Sequence, residues 1–151
     1  MSEDGKELAR LFAQIPTAAI TGQLYKKYGM RTRAIGGVQP LDGANCRFVG
    51  PAFTMRYVPQ REDLNASADL GSPTSIVLKA TEQIVAGDVL VMDMQGDSYV
   101  GGLGDVLVTG FIGRGVAGLV ADGGMRDVRE LRAMSSRFSA AAPPLPRVRR
   151  R

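Results

Sequence analysis

The chain has no histidine and a single cysteine, Cys46, among 151 residues. Without histidine there is no imidazole base, no Ser-His or Cys-His nucleophilic pair and no imidazole metal ligand. One cysteine excludes an intramolecular disulfide and a cysteine-rich zinc site. Lysine is scarce too, present only as Lys6, Lys26, Lys27 and Lys79. No apolar run approaches the roughly 20 residues that span a bilayer. The first six residues are polar and acidic, unlike a secretory leader. The expectation is a soluble, cytoplasmic protein of one domain. Any catalysis in it rests on carboxylates, arginine, lysine, tyrosine, backbone amides or a hard metal ion.

An excess of negative charge is lacking as well: the formal net charge is +4. Four arginines, Arg147, Arg149, Arg150 and Arg151, lie in the last five residues, and the other fifteen basic residues match the fifteen acidic ones. The body is therefore neutral and the excess sits in a tail. Basic tails attract phosphate non-specifically, but no aromatic stacking residue accompanies these arginines, so the tail is not read as a nucleic-acid site.

What is present is an alternation of helical and strand-like segments. Leu8, Leu11, Phe12 and Ile15 have helical spacing up to Pro16, and Thr17 is placed to cap a second helix ending near Tyr28-Gly29. Both helices are expected to present a packing face. Residues 31–60 read as β-like: Arg33-Ala34-Ile35, a turn at Leu41-Asp42-Gly43, Cys46-Arg47-Phe48-Val49, and an alternating strand from Ala52 to Val58. Residues 59–73 read as a loop with a short helical turn, in which Asn65-Ala66-Ser67 is an accidental match to a glycosylation acceptor. Ile76, Val77, Ala80, Ile84 and Val85 form a helical face. Val89-Leu90-Val91-Met92-Asp93 and Val116-Ala117-Gly118-Leu119-Val120-Ala121 read as buried strands.

Each buried strand empties into a loop rich in glycine and carboxylates. Gly101-Gly102-Leu103-Gly104-Asp105 opens a helix carrying Val106, Leu107, Phe111 and Ile112. Asp122-Gly123-Gly124-Met125-Arg126-Asp127 opens a short helix with Val128, Leu131 and Met134 inward. Strand, loop, helix, repeated, is an α/β pattern, and ligands in such folds collect where strands run out into helices. Glycine lets backbone approach a ligand closely, and N–H groups at a helix start attract anions. Arginine can grip a carboxylate in two places, and aspartate can hold a hard cation. Each loop also has a plain structural reading, since glycine makes turns and aspartate caps helices. No Gly-x-Gly-x-x-Gly register fits residues 96–104 and no Gly-Lys-Ser/Thr occurs, which argues against dinucleotide and P-loop sites.

Gly104-Asp105-Val106-Leu107, twenty residues between Asp105 and Arg126, and Arg126-Asp127 followed by Glu130 together resemble the signature of the RraA-like family. That family comprises 4-hydroxy-4-methyl-2-oxoglutarate aldolases and the regulator of ribonuclease E activity that shares their fold. Val49-Gly50-Pro51-Ala52-Phe53-Thr54, Ala86-Gly87-Asp88-Val89-Leu90-Val91 and Gly118-Leu119-Val120-Ala121-Asp122-Gly123 add to the resemblance, which spans about residues 8–134. It implies a swivelling β/β/α domain, assembled as trimers with sites between subunits. It also implies a metal-dependent (class II) lyase that cleaves 4-hydroxy-4-methyl-2-oxoglutarate to two pyruvates and decarboxylates oxaloacetate, both through a pyruvate enolate.

On that resemblance Gly104, Asp105, Val106 and Leu107 form the substrate loop, Arg126 binds the 2-oxo acid and Asp127 anchors Mg²⁺ or Mn²⁺. Arg126 and Asp105 are the catalytic candidates, Asp105 by orienting a metal-bound water as base. Glu130 is placed to orient the Arg126 guanidinium. No lysine lies in either glycine loop, which argues against a Schiff-base aldolase. The alternative is a non-catalytic regulator that binds ribonuclease E.

After Met134 the match stops. The family continues into a strand and further β-structure, whereas this chain continues into a Ser/Ala/Pro/Arg segment without apolar period. The expectation is an RraA-like domain over residues 1–134, incomplete at its C-terminal end through truncation or a shifted frame, and a disordered tail over residues 135–151.

Overall fold

The computed structural model describes residues 3–31, 35–41, 46–59, 61, 63, 72, 75–99, 101–134 and 140–142. In chain order the elements are α1 (Glu3–Phe12), α2 (Thr17–Tyr28), β1 (Gln39–Pro40), β2 (Ala52–Arg56), α3 (Ile76–Gln83), β3 (Val89–Asp93), α4 (Asp105–Gly113), β4 (Gly118–Ala121), α5 (Val128–Ala133) and β5 (Ala140–Ala142). The strands form one sheet in the order β1-β5-β4-β3-β2. Strands β2 to β5 run parallel and only β1, at the edge, is antiparallel. Helices α3, α4 and α5 connect successive parallel strands, with α4 packed between the other two. The four parallel strands therefore deliver their C-terminal ends to the same edge of the sheet.

The core lies where strand alternation meets the helices. In register, Phe53 pairs with Leu90 and Leu90 with Leu119; Met55 pairs with Met92 and Met92 with Ala121. Leu90, Met92, Leu119 and Ala121 are buried, as are Val77, Ala80 and Ile84, Val108 and Phe111, and Leu131. The alternate residues Val91 and Val120 are only half-buried and Thr54 is exposed. These strands thus show one fully covered face instead of the two expected of continuous apolar runs. Phe48 lies against Gly118, where any side chain on residue 118 would collide with its ring.

Several expectations need correction. The apolar stripe of α1 exists, but neither α1 nor α2 has a buried residue: Leu8 is 55% and Leu11 46% exposed. No described element supplies the second surface that an amphipathic stripe requires. Thr17 is the first residue of α2 and not its cap; Pro16 holds the cap position without a side-chain hydrogen bond. The helix does end as expected, with Gly29 left-handed at φ 67°. Cys46–Val49 is not a strand; Phe48 packs by its ring against Gly118, a distinction that an apolar run does not encode. Helix α3 stops at Gln83, so Ile84 is buried from its C-cap position.

The segment expected to be disordered contributes β5. Ala140 and Ala141 pair with Leu119 and Val120, and Ala141 and Ala142 pair with Pro40 and Gln39. Strand pairing uses backbone groups and needs no apolar period. The rest of that predicted tail, 135–139 and 143–151, lies outside the described residues, as do residues 33–34, 42–43 and 65–67 and most of the predicted loop 59–73. Among the described residues no helix is long and apolar enough to cross a membrane.

Phe111 is fully buried at the centre of the helical layer. Phe111→Ala is expected to cost about 3–5 kcal/mol, read as a lowered denaturant midpoint. An exposed control, Leu8→Ala, is expected to change it by less than about 0.5 kcal/mol.

Candidate functional site

A cavity of about 470 Å³ opens at the C-terminal edge of the sheet, a volume suited to a small ligand. Tyr57 and Val58 reach it from the end of β2, Met94, Gln95 and Asp97 from the end of β3, and Arg126 from the loop after β4. Gly101 and Gly102 and the helix residues Val77 and Leu107 complete the wall. The glycine loop is fixed by backbone bonds that cross between strand ends. The Gly102 N–H donates to Gly124 O and the Gly124 N–H to Asp97 O, both at 2.9 Å, and the Arg126 N–H donates to Leu103 O at 2.9 Å. Asp122, which precedes two glycines, accepts the Met94 N–H and so ties the end of β4 to that of β3.

Two glycines make room for the side chains of Arg126 and Asp127. The aliphatic stem of Arg126 crosses Gly101 so closely that any side chain there would collide with it. The Asp127 carboxylate occupies the space a side chain on Gly104 would need. Asp127 holds the N-cap position of α5, yet makes no capping bond to that helix. Its Oδ2 instead accepts the Asp105 N–H, 3.3 Å away, at the first residue of α4. The Asp105 Oδ1 in turn accepts the Val106 N–H at 2.7 Å. The anion that the start of α4 attracts is therefore a carboxylate of the chain itself, and the amides of residues 105 and 106 are engaged rather than free.

Backbone strain concentrates here. Among the described residues the non-glycine residues with positive φ are Gln95 (57°) and Asp127 (53°). Each follows a sheet strand at this edge, and such conformations persist where surrounding contacts hold them. Gln95 is held on both sides: its N–H donates to Asp93 Oδ1 at 3.2 Å and its Nε2 to Tyr57 O at 3.0 Å. Arg56 forms an ion pair with Asp93 at 2.6 Å. With the Gln95 N–H, it holds the Asp93 carboxyl below the usual carboxylate range.

The residues singled out by sequence divide into two groups. Arg126 and Leu107 line the cavity; Gly104, Asp105 and Asp127 cluster beside it without lining it. Val106 is 79% exposed. The Arg126 guanidinium makes no hydrogen bond or ion pair among the described residues. Glu130 does not orient it, because Glu130 pairs with Arg129 at 2.9 Å. Helix α5 begins only at Val128, so Arg126 stands outside the helical spacing that would have brought the two together. Tyr57, Val58 and Gln95 were missed. The strand-end rule that exposed the loops after β3 and β4 reaches them once it is applied to β2 and to the residues directly following β3.

A resident divalent cation can be tested against these donors. Among the described residues no group of three or more carboxylate, thiol or imidazole side chains is placed to share an ion. Asp127 retains a free Oδ1 and Asp105 is its neighbour. One or two carboxylates with open positions for water and substrate match Mg²⁺ or Mn²⁺, and match neither a zinc nor a calcium cage.

The sequence pattern of the RraA-like family, described as aldolase/RraA, matches residues 13–149. A Halalkalibacterium halodurans protein named as a candidate 4-hydroxy-4-methyl-2-oxoglutarate aldolase is 33% identical over 135 residues, covering 89% of this chain and 56% of its own. The crystal structure of Streptomyces coelicolor RraAS2, described as an unusual member of the RNase ES inhibitor RraA protein family, superposes with a TM-score of 0.76 at 31% identity, over 91% of this chain and 63% of that one. RraA from Thermus thermophilis, an RNA-processing inhibitor, follows at 0.56 and 25%, over 81% and 65%. The chain thus spans somewhat over half the length of these relatives. With this pattern, this parallel sheet and these neighbours, the chain belongs to the RraA-like (aldolase/RraA) family and has its α/β fold.

Proposed function

We propose that this chain carries the site of a divalent-metal-dependent carbon–carbon lyase. It cleaves 4-hydroxy-4-methyl-2-oxoglutarate to two pyruvates and decarboxylates oxaloacetate through the same pyruvate enolate. The observation that carries the reading is Arg126, its stem laid over Gly101 on the wall of a cavity sized for a small acid and its guanidinium unpaired among the described residues. A cation so placed, with no acidic partner among the described residues, favours an anionic ligand. The candidate-aldolase relative supports the same reaction class.

In this reading Arg126 binds the substrate carboxylate and fixes the 2-oxo acid for bond cleavage. In the aldol substrate the 4-hydroxyl loses its proton, the C3–C4 bond breaks, and one pyruvate leaves as the ketone. The electron pair remains on the other as enolate, which is protonated at C3. In oxaloacetate the bond to the departing CO₂ breaks and the same enolate remains. Asp127, with Asp105 beside it, would hold Mg²⁺ or Mn²⁺, whose charge stabilises the developing enolate oxygen. Asp105 orients the water that moves the hydroxyl proton, and Gly104 to Leu107 form the rim of the substrate loop. The proposed assembly is a homotrimer, in which a neighbouring subunit would cover exposed apolar residues such as Val106 and Tyr99.

A second reading, a regulator that binds ribonuclease E, is favoured by the RraAS2 neighbour, described as belonging to an RNase ES inhibitor family. Capture of that ribonuclease by a chain without lyase activity would establish it.

Pyruvate release from oxaloacetate with Mg²⁺ is expected from the purified chain, lost on chelation and restored by Mg²⁺ or Mn²⁺. Arg126→Ala is expected to lower kcat/KM about 100-fold, since a charged hydrogen bond of this kind is worth about 1.5–3 kcal/mol. An active Asp127→Ala protein would overturn the cation-holding role. Gly104→Ala isolates the carboxylate's position. Gly104 has φ −116°, a conformation open to any residue, so the added methyl group clashes with Asp127 alone, meeting Arg126 Nε only at ordinary contact distance. Activity is expected to fall at least about tenfold while the helical circular dichroism stays unchanged.

A further inference from the structure

We propose that Tyr57 is a substrate-positioning residue: its phenol hydroxyl donates a hydrogen bond to an acceptor oxygen of the 2-oxo acid held by Arg126. The proposal rests on the lyase reading above and adds a second point of recognition to it.

Tyr57 lines the same cavity as Arg126 and stands immediately beyond β2. Its backbone is held at both polar groups, the N–H donating to Asp93 O at 2.8 Å and the carbonyl accepting Gln95 Nε2 at 3.0 Å. The ring is half-buried against the core. Its hydroxyl is buried and has no hydrogen-bond partner among the described residues. Nearly all buried polar groups in folded proteins are satisfied, so an orphan on a residue that lines the cavity calls for a partner.

The cavity's own side chains do not provide that partner. Val58, Pro59, Val77, Met94 and Leu107 offer no strong acceptor. Gln95 Nε2 donates to the Tyr57 carbonyl and Asp97 Oδ1 accepts the Tyr99 N–H at 2.9 Å, and neither the Gln95 Oε1 nor the Asp97 carboxylate bonds the phenol. Burial pushes the phenol up from its ordinary value, so the hydroxyl keeps its proton at neutral pH and acts as donor. A small dianion or 2-oxo acid brings what is missing: a carboxylate for the guanidinium and a further oxygen for the phenol. Two fixed donors would select acids with two oxygen-bearing groups over simple monocarboxylates.

The test compares the full chain with its Tyr57→Phe variant in Mg²⁺. It uses oxaloacetate kinetics, calorimetric binding of oxalate, a stable dianion shaped like pyruvate enolate, and thermal unfolding. The variant is expected to raise KM for oxaloacetate and Kd for oxalate about tenfold, to leave kcat within about threefold, and to keep or raise the unfolding midpoint. That last outcome separates the proposal from a structural role, because removing an unsatisfied buried hydroxyl does not destabilise. Unchanged KM and Kd beside an active parent chain overturn the tyrosine assignment and leave the lyase reading standing. So does a lowered midpoint with unaltered binding per folded molecule. A parent chain that neither turns over oxaloacetate nor binds oxalate overturns both.

Discussion

The site depends on one close approach: the Asp127 carboxylate drawn against the first turn of α4 across the empty face of Gly104. The end of β4 and the start of α4 belong to different βαβ units, and nothing in strand pairing alone would set the distance between their loops. The Asp105 N–H bond to Asp127 does so, helped by the Arg126 N–H to Leu103 O. The cost is a left-handed aspartate, φ 53°, of about 1 kcal/mol. The gain is geometric: with Asp127 turned towards α4, the adjacent Arg126 stem lies over Gly101 and its guanidinium is delivered to the cavity. Glycine loop, carboxylate and arginine form one unit rather than three motifs.

Much of this was legible in the sequence because it depends on local pattern. Val89–Asp93 and Val116–Ala121 announce parallel strands by apolar content, the second starting at Gly118 in the structure, and the glycine clusters after them announce the strand ends beside the cavity. The spacing of Asp105 and Arg126-Asp127 located the cluster and its family. What was not legible depends on what each segment meets in space. The apolar stripe of α1 has the right period and no described surface to cover it. Cys46–Val49 has strand-like composition and does not form a strand. Ala140–Ala142 has no apolar period and pairs all the same, because β4 presents an open backbone edge.

The site residues divide in the same way. Asp127 looked like a helix cap by position, and only the coordinates show that its carboxylate serves a different helix. Glu130 looked like a partner for Arg126 at helical spacing, but the helix starts two residues after Arg126. Tyr57 carries no motif at all. It reads as one aromatic residue at the end of an alternating strand, and its interest arises from a hydroxyl unpaired among the described residues, which no one-dimensional pattern records.

The contact between Gly104 and Asp127 also limits how such a chain can diverge. A larger residue at 104 is compatible with the backbone and incompatible with the carboxylate, while a shorter residue at 127 would open a gap and release the α4 amide. Neither position can drift while its partner stays fixed, so the two are expected to vary together across relatives or not at all. A relative in which residue 104 has gained a side chain would have given up the carboxylate's seat, and with it the proposed chemistry, while keeping the fold.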